Sequence, residues 1–363
     1  MRLRCGQLVI GGFQGATLPE GFAKALREGR RGGAILFKSN VEGGARQVAA
    51  LNRSLHATSP DLPPIVSIDQ EGGRVARLRA PVLAIPPMRT VGSWGDVALA
   101  ERIARELGRQ LAALGFTVNH APVLDVDTCA ENPVIGDRAF AADETVCARF
   151  GVAWTRGLQS AGLLACGKHF PGHGDTTRDS HVDLPVVDLP RERLERVELQ
   201  PFRAAAAAGL AMMMTAHVVY TALGTLPATL SAAASTALRA SAGFEDGALV
   251  SDDLEMQAIA ARWGIEESAV LAVAAGCDAL LVCSSDDLQE RAALALQREA
   301  DTSPAFRARC EQAHARVTAA RRRIGASPLD DEDIARLFES DATATLTDEL
   351  RARIAASRAG AVT

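Results

Sequence analysis

The chain has 363 residues, of which 48% are hydrophobic and 23% charged, so a disordered or fibrous protein is excluded and a large core is expected. The formal net charge of −5 shows no excess of basic residues of the kind that nucleic-acid-binding proteins carry, and we expect no polyanionic partner. Residues 1–10 lack the apolar stretch of a signal peptide and no run of about 18 apolar residues occurs, so we expect a cytoplasmic protein without membrane contact.

Short apolar runs of strand length recur eight times along the chain. They cover residues 7–11, 33–37, 64–68, 116–124, 163–167, 211–215, 248–251 and 279–283. Alanine-rich amphipathic stretches between them predict helices, among them 97–114, 144–160, 192–208, 266–275 and 288–297. Continuous apolar strands are typical of a parallel sheet, and eight strand–helix units favour an α/β fold, a single closed (β/α)8 barrel of the TIM type.

The predicted barrel fills residues 1–326, where neither a linker nor an internal repeat occurs. From Ser327 the composition becomes acidic and then amphipathic, which predicts a helical tail over 327–363. Packing of this tail on the barrel and self-association are both open, and we expect a monomer or a weak homodimer. The seven cysteines are scattered without metal-ligand spacing, so we expect reduced thiols, no bound metal and no cofactor.

Charged residues directly follow most of the predicted strands. Examples are Asp69, Asp125, Lys168, His217 and Asp252. Loops are polar in general, but Ser, Gly and Asn would dominate an ordinary loop, whereas Asp, His and Lys dominate here. Because barrel active sites are assembled from the carboxyl ends of the strands, this pattern predicts an active site there.

The segment 168–181 carries three of the seven histidines. Pro171 and Gly172 prevent a helix, so we predict a long loop over the barrel mouth. Asp179 and His181 are two residues apart, and in an extended segment the carboxylate can orient the imidazole and stabilise its cation. Such a pair is a competent general acid/base, because imidazole has a pKa of about 6.5.

Two other interpretations of this histidine loop stay open. The Asp179–His181 pair can simply pin the loop, as such side chains often do in turns. A metal site is the second alternative. It would use His169, His173 and His181 with Asp175 or Asp179, although the HxxxH spacing is meaningful mainly on a helix.

Asp252 ends the seventh predicted strand, where its carboxylate would point into the barrel mouth and could attack an anomeric carbon. The alternative is a structural residue that caps the following helix. Strand alternation predicts that Asp253 faces away, although a register error of one residue would exchange the two. Asp69 with Arg77, and Arg138, lie in charged loops for which a surface salt bridge is the commoner explanation.

Six segments together resemble a known family. They are IDQEGGRVARL (68–78), APVLDVD (121–127), NPVIGDRAF (132–140), KHFPGHGDTTRDSHVDLP (168–185), MTAHVVY (214–220) and SDDLEM (251–256). They resemble glycoside hydrolase family 3, specifically its β-N-acetylglucosaminidase branch of peptidoglycan recycling, and they span nearly the whole barrel. Ser39-Asn40 and His120 depart from the usual residues of this branch, which puts the preference for the aglycone in doubt.

The resemblance implies a retaining mechanism and a set of site residues. Asp252 would be the nucleophile, and His181 paired with Asp179 the acid/base. The residues that would hold the sugar's hydroxyl groups are Asp69, Arg77, Arg138, Lys168 and His169. The implied reaction is exo-hydrolysis of terminal N-acetylglucosamine from a small carbohydrate such as a muropeptide. A phosphorylase of the same family and a non-catalytic amino-sugar-binding protein are the alternatives.

Overall fold

The computed structural model describes residues 5–180 and 183–360. Its eight main strands pair in chain order into a closed barrel, in which every neighbour is parallel and β8 returns to β1. The strands are β1 Val9–Gly11, β2 Gly33–Leu36, β3 Ile65–Ile68, β4 Val118–Asn119, β5 Leu164–Phe170, β6 Met212–Thr215, β7 Ala248–Asp253 and β8 Ala279–Val282. The predicted (β/α)8 barrel is confirmed.

The longer helices surround this barrel. They are α1 Glu20–Arg27, α2 Ala45–His56, α3 Val97–Ala113, α4 Glu144–Ser160, α5 Gln200–Ala207, α6 Ile265–Ala275, α7 Asp286–Thr302, α8 Pro304–Arg321, α9 Asp331–Phe338 and α10 Asp341–Gly360. Shorter helical segments cover Lys38–Val41, Met88–Ser93, Arg191–Arg193, Arg239–Ser241 and Gln257–Ala260. Side-chain caps fix several starts: Asp96 accepts from the Leu99 amide, and Asp143 from the Val146 amide.

Most predicted elements differ from the structure by a few residues at their ends, and the strand predicted over 116–124 is reduced to Val118–Asn119. Two differences bear on the site. The helix expected over 192–208 is divided, because a π-helical stretch, Leu194–Glu198, precedes α5. Pro201 has no amide hydrogen for the regular ladder, which accounts for the break. The fifth strand runs on to Phe170, so Lys168 and His169 lie within β5 and not after it.

The core has two layers, as alternating side chains of the strands require. Inside the barrel, one cluster gathers residues such as Ile10, Ile35, Ile65 and Leu164. Their strand neighbours, such as Val66, pack outward against the helices in a larger cluster. The strands are therefore buried on both faces, which explains their continuous apolar sequence.

The tail packs on the barrel. Leu346 and Leu350 of α10 are buried in the outer core, and the Thr343 hydroxyl donates to the buried Glu106 carboxylate of α3 at 2.6 Å. The domain boundary at 326 and the oligomeric state stay predictions. Across the described ranges no helix is long and apolar enough to cross a membrane, and the cytoplasmic location also stays a prediction.

Candidate active site

A cavity of about 340 Å³ opens at the carboxyl ends of the strands, a volume within the range of small-molecule sites. The predicted site residues that line it are Asp69, Arg77, Arg138, Lys168, His169, Asp179 and Asp252. The structure thus brings together side chains from four separate segments of the chain. His181, the predicted acid/base, lies outside the described residues.

Lys168 is the centre of a buried charge cluster. Its Nζ lies 2.7 Å from Asp69 Oδ1 and 2.6 Å from Glu71 Oε1. Burial favours the neutral form of each carboxyl group, but the neighbouring cations outweigh it. They hold the pKa of Asp69 well below its usual range, chiefly through Lys168, and lower that of Glu71 to about 2, chiefly through Arg138. All three groups are therefore charged at neutral pH.

Arg138 binds Glu71 through two parallel hydrogen bonds. Its Nε lies 2.9 Å from Oε2 and its Nη2 lies 2.8 Å from Oε1. The same Nη2 is 3.3 Å from His169 Nε2. Because the planar guanidinium matches the carboxylate, this pairing fixes the orientation of Arg138 at the cavity wall. Glu71 was not among the predicted site residues, although it stands in the Asp69-Gln70-Glu71 sequence that follows β3.

Asp125 anchors the start of the histidine loop; the sequence indicated it only as a charged residue after a strand and gave it no role in the site. Its carboxylate is fully buried and accepts the amide hydrogens of His169 at 3.1 Å and His173 at 2.7 Å. Its Oδ2 lies 2.7 Å from His169 Nδ1. Burial raises the pKa of Asp125, but the adjacent His169 ring and the other donors hold it below its usual value. Asp125 therefore accepts as an anion, and His169 points Nε2 toward Arg138.

His173 is held by hydroxyl groups. Its Nδ1 lies 2.8 Å from Thr176 Oγ1 and its Nε2 lies 3.2 Å from Ser180 Oγ. Burial lowers its pKa to about 4, so the ring is neutral at physiological pH. Both nitrogens are already engaged, which weakens the metal alternative. Within residues 5–180 and 183–360, no three His, Cys, Asp or Glu side chains group in a way that could hold a metal ion.

Asp252 presents an anionic carboxylate at the end of β7. Burial raises its pKa, but His217, His169, the Asp253 amide and Lys168 together hold the pKa below the ordinary value. Its Oδ1 accepts from the Asp253 amide at 2.8 Å. The following helix, Gln257–Ala260, begins after Met256 and has no side-chain cap. The helix-capping alternative for Asp252 is therefore wrong.

Asp253 was predicted to face away from the cavity, and that prediction is wrong. Strand pairing shifts register between Val250 and Asp253, so the simple alternation of side chains fails and both aspartates line the cavity. Asp253 accepts the amide hydrogens of Glu255 at 3.1 Å and Cys283 at 3.2 Å. Burial raises its pKa to about 7. The two adjacent carboxyl groups thus differ sharply in acidity.

Arg77 and Asp69 form a partly buried ion pair at 3.3 Å. The Arg77 guanidinium also lies over the Phe37 ring, 5.7 Å from its centroid. The commoner explanation, an exposed salt bridge, does not describe this pair, because the Asp69 side chain is only 14% exposed. Arg77 therefore forms part of the cavity wall in a fixed orientation.

The chain is similar to known proteins over most of its length. Curated beta-hexosaminidases from Thiobacillus denitrificans and Nitrosomonas eutropha are 41% and 40% identical. The alignments cover 83% and 78% of this chain and 84% and 83% of those proteins. A solved glycoside hydrolase family 3 beta-N-acetylglucosaminidase from a Paenibacillus species superimposes with a TM-score of 0.89 at 38% identity. That superposition covers 97% of this chain and 68% of that chain.

Native NagZ from Neisseria gonorrhoeae superimposes with a TM-score of 0.80 at 30% identity, over 95% of this chain and 97% of that chain. Residues 1–320 match the sequence profile described as Glycosyl hydrolase family 3 N terminal domain. Many unrelated hydrolases have a barrel with a polar, carboxylate-lined mouth, so the fold alone does not identify the family. Sequence identity over most of the chain does identify it. The chain therefore belongs to glycosyl hydrolase family 3 and is a glycoside hydrolase.

Proposed function

We propose that the chain is an exo-acting, retaining β-N-acetylglucosaminidase that removes terminal N-acetylglucosamine from cell-wall muropeptides or related glycosides. The observation that carries this proposal is Asp252, a buried carboxylate with a lowered pKa that opens onto the cavity. An ionised carboxylate at that place is ready to act as a nucleophile. The names of the relatives, beta-hexosaminidase and beta-N-acetylglucosaminidase, support the choice of sugar.

The proposed first step forms a glycosyl–enzyme bond. Asp252 attacks the anomeric carbon, the bond to the aglycone oxygen breaks, and His181 gives its proton to that oxygen while Asp179 stabilises the imidazolium. In the second step the neutral His181 takes a proton from water, the resulting hydroxide attacks the anomeric carbon, and Asp252 leaves. The position of Asp179 on the cavity wall is consistent with acid/base chemistry there.

The remaining charged groups suit the binding of one polar sugar. Ion pairs within the protein already orient Asp69, Lys168 and Arg138. The entropy cost of ordering these side chains is therefore met during folding and does not weaken the binding of the sugar. Among the described lining residues, Phe37 alone is a Phe, Tyr or Trp. A long polysaccharide groove would normally stack sugar rings on several aromatics, so this cavity favours a single terminal residue.

Trapping of the intermediate tests the reaction class and the nucleophile together. The enzyme is incubated with a fluorinated N-acetylglucosaminyl fluoride, and the labelled peptide is identified by mass spectrometry. We expect the label on Asp252, and Asp252→Ala should abolish turnover of aryl N-acetylglucosaminides. The neighbouring Asp253→Asn serves as the matched variant, which should still take the label. A label on Asp253 would refute the assignment of Asp252 as the nucleophile.

Products of the same reaction decide between hydrolysis and phosphorolysis. N-acetylglucosamine 1-phosphate formed in phosphate buffer would refute simple hydrolysis. Binding of the sugar without turnover would favour the non-catalytic alternative and contradict the proposal.

The acid/base role is tested by the leaving group. His181→Ala should slow an alkyl N-acetylglucosaminide by about 100-fold or more, but an activated aryl one far less, because a phenolate hardly needs protonation. Equal losses on both substrates would contradict the role of His181.

A further inference from the structure

One buried histidine at the barrel mouth takes no part in the site described so far. His120 directly follows β4, and its side chain is fully buried. Across residues 5–180 and 183–360, neither of its ring nitrogens has a hydrogen-bond partner. Buried polar groups are nearly always hydrogen-bonded to protein or to ordered water, so two unpaired nitrogens in one imidazole require an explanation.

The strand register places the His120 ring next to the Asp69 carboxylate. Ile68 pairs with Asn119 between the parallel strands β3 and β4, and the His120 amide donates to the Ile68 carbonyl oxygen at 2.9 Å. Asp69 and His120 are therefore the next residues along the two strands. Val118 packs inside the barrel, so the alternation of side chains points His120, two residues later, inward as well. Asp69 itself lines the sugar cavity.

The electrostatics of the two groups agree with this placement. Burial raises the pKa of Asp69, whereas Lys168 and then His120 lower it, as expected for a ring close to the carboxylate. Burial lowers the pKa of His120 to about 4, so its ring is neutral at physiological pH. A neutral imidazole has one N–H donor and one acceptor nitrogen. Since the ring does not bond to Asp69 directly, a water molecule has the size and the hydrogen-bonding groups to join them.

We propose that His120 is a positioning residue of the sugar site, which holds Asp69 through ordered water at the floor of the cavity. The ring donates its N–H to a water molecule, and this water donates to the carboxylate. Asp69 Oδ1 accepts from Lys168 and Oδ2 from Arg77, and each oxygen can accept a second hydrogen. Water-mediated bonds hold a group nearly as well as direct ones. The inference rests on the proposed function, because it treats Asp69 as a residue that holds a sugar hydroxyl.

Two substitutions of His120 test this role by the turnover of an aryl N-acetylglucosaminide. His120→Phe keeps a ring but removes both nitrogens, whereas His120→Gln keeps a donor and an acceptor. His120→Phe should lower kcat/KM by about fivefold, the size expected for one hydrogen bond. The loss should lie mainly in KM, because a bond to a hydroxyl away from the reacting carbon contributes equally to substrate and transition state. His120→Gln should keep most of the wild-type kcat/KM, and losses equal to those of His120→Phe would overturn the proposal.

A double-mutant cycle shows whether His120 acts through Asp69. In the Asp69→Ala background the carboxylate is gone, so His120→Phe should cause no further loss of kcat/KM. A fivefold loss repeated in that background would overturn the proposal. His56→Phe is the matched control, because His56 ends α2 just before β3 begins, at the opposite end of the barrel. It loses a bond to the Gly115 carbonyl oxygen but should leave kcat/KM unchanged.

A crystal structure of the whole chain tests the water directly and needs no turnover. We expect a water within about 3.2 Å of both a His120 ring nitrogen and an Asp69 oxygen, and a displaced Asp69 side chain in His120→Phe. Absence of that water, or an unmoved Asp69 in the variant, would overturn the proposal; if the variant does not fold, the wild-type structure decides. Wild-type kcat/KM with a raised melting temperature in His120→Phe would also overturn it, since that result indicates a dry, unsatisfied ring. A wild type that hydrolyses no N-acetylglucosaminide would overturn the glycosidase proposal instead.

Discussion

Asp125→Asn is the most informative single change outside the proposed catalytic residues. The carboxylate of Asp125 accepts three donors: the amides of His169 and His173, and the His169 ring. Asparagine keeps the shape but replaces one oxygen with an NH2 group, which donates and cannot accept. One buried donor therefore loses its acceptor, and the negative charge of the Asp125 carboxylate is removed.

The expected loss follows from these contacts. A hydrogen bond to a charged group contributes about 1.5–3 kcal/mol, and a buried donor left unsatisfied costs about 1–3 kcal/mol, so we expect a loss of about 3 kcal/mol at pH 7. The folded-state pKa of Asp125 lies below the ordinary value of 3.8. The stabilisation by the anion is therefore present above about pH 4, and it is lost as the pH falls through the folded-state pKa.

Urea unfolding followed by circular dichroism measures this loss. The variant should show a lower midpoint at pH 7, and its gap from the wild type should shrink below about pH 4. Asp348→Asn is the matched control, because Asp348 pairs with Arg351 at 3.1 Å with both side chains 75% exposed. It should change stability by less than about 0.5 kcal/mol. An unchanged midpoint for Asp125→Asn at pH 7, or a gap that widens on acidification, would refute the reasoning.

Three further changes test other parts of the structure. Glu71→Gln removes the carboxylate that binds Arg138. Because breaking a buried ion pair leaves an unpaired charge, we expect the free energy of unfolding, measured in urea at pH 7, to fall by about 3 kcal/mol. An unchanged urea midpoint would contradict this. Burial raises the pKa of Glu198 from 4.5 to about 7, so the wild type should lose about 3 kcal/mol of stability as the pH rises through that interval. Glu198→Gln should remove this loss when thermal stability is compared at pH 5 and pH 8. If the variant loses as much stability between these two pH values as the wild type does, the prediction is wrong. Gly174→Ala should unfold at a lower temperature and turn over more slowly, because the new Cβ would clash with the Val126 carbonyl oxygen. A melting temperature equal to that of the wild type would contradict this.

The sequence by itself determined the fold. Each of the eight apolar runs overlaps one of the strands β1 to β8, and the helix over Glu144–Ser160 begins and ends where its periodicity predicts. These signals are local, since burial on both faces requires a continuous apolar strand and burial on one face requires a helical period. The same logic indicated Asp69, Lys168 and Asp252 as neighbours, because the carboxyl ends of parallel strands must meet at the barrel mouth. The convergence of His181 on Asp252 stays a prediction.

Only the tertiary structure decided how the charges pair. The sequence assigned no role to Glu71, and it indicated Asp125 only as a charged residue after a strand. The importance of both comes from contacts with Lys168 and His169 across the barrel. Asp253 lines the cavity beside Asp252 because the strand pairing shifts register there, which no alternation rule contains. Chain order fixes which strands are neighbours, but the protonation state of each buried carboxyl group depends on distances of a few ångströms to charges brought from distant segments.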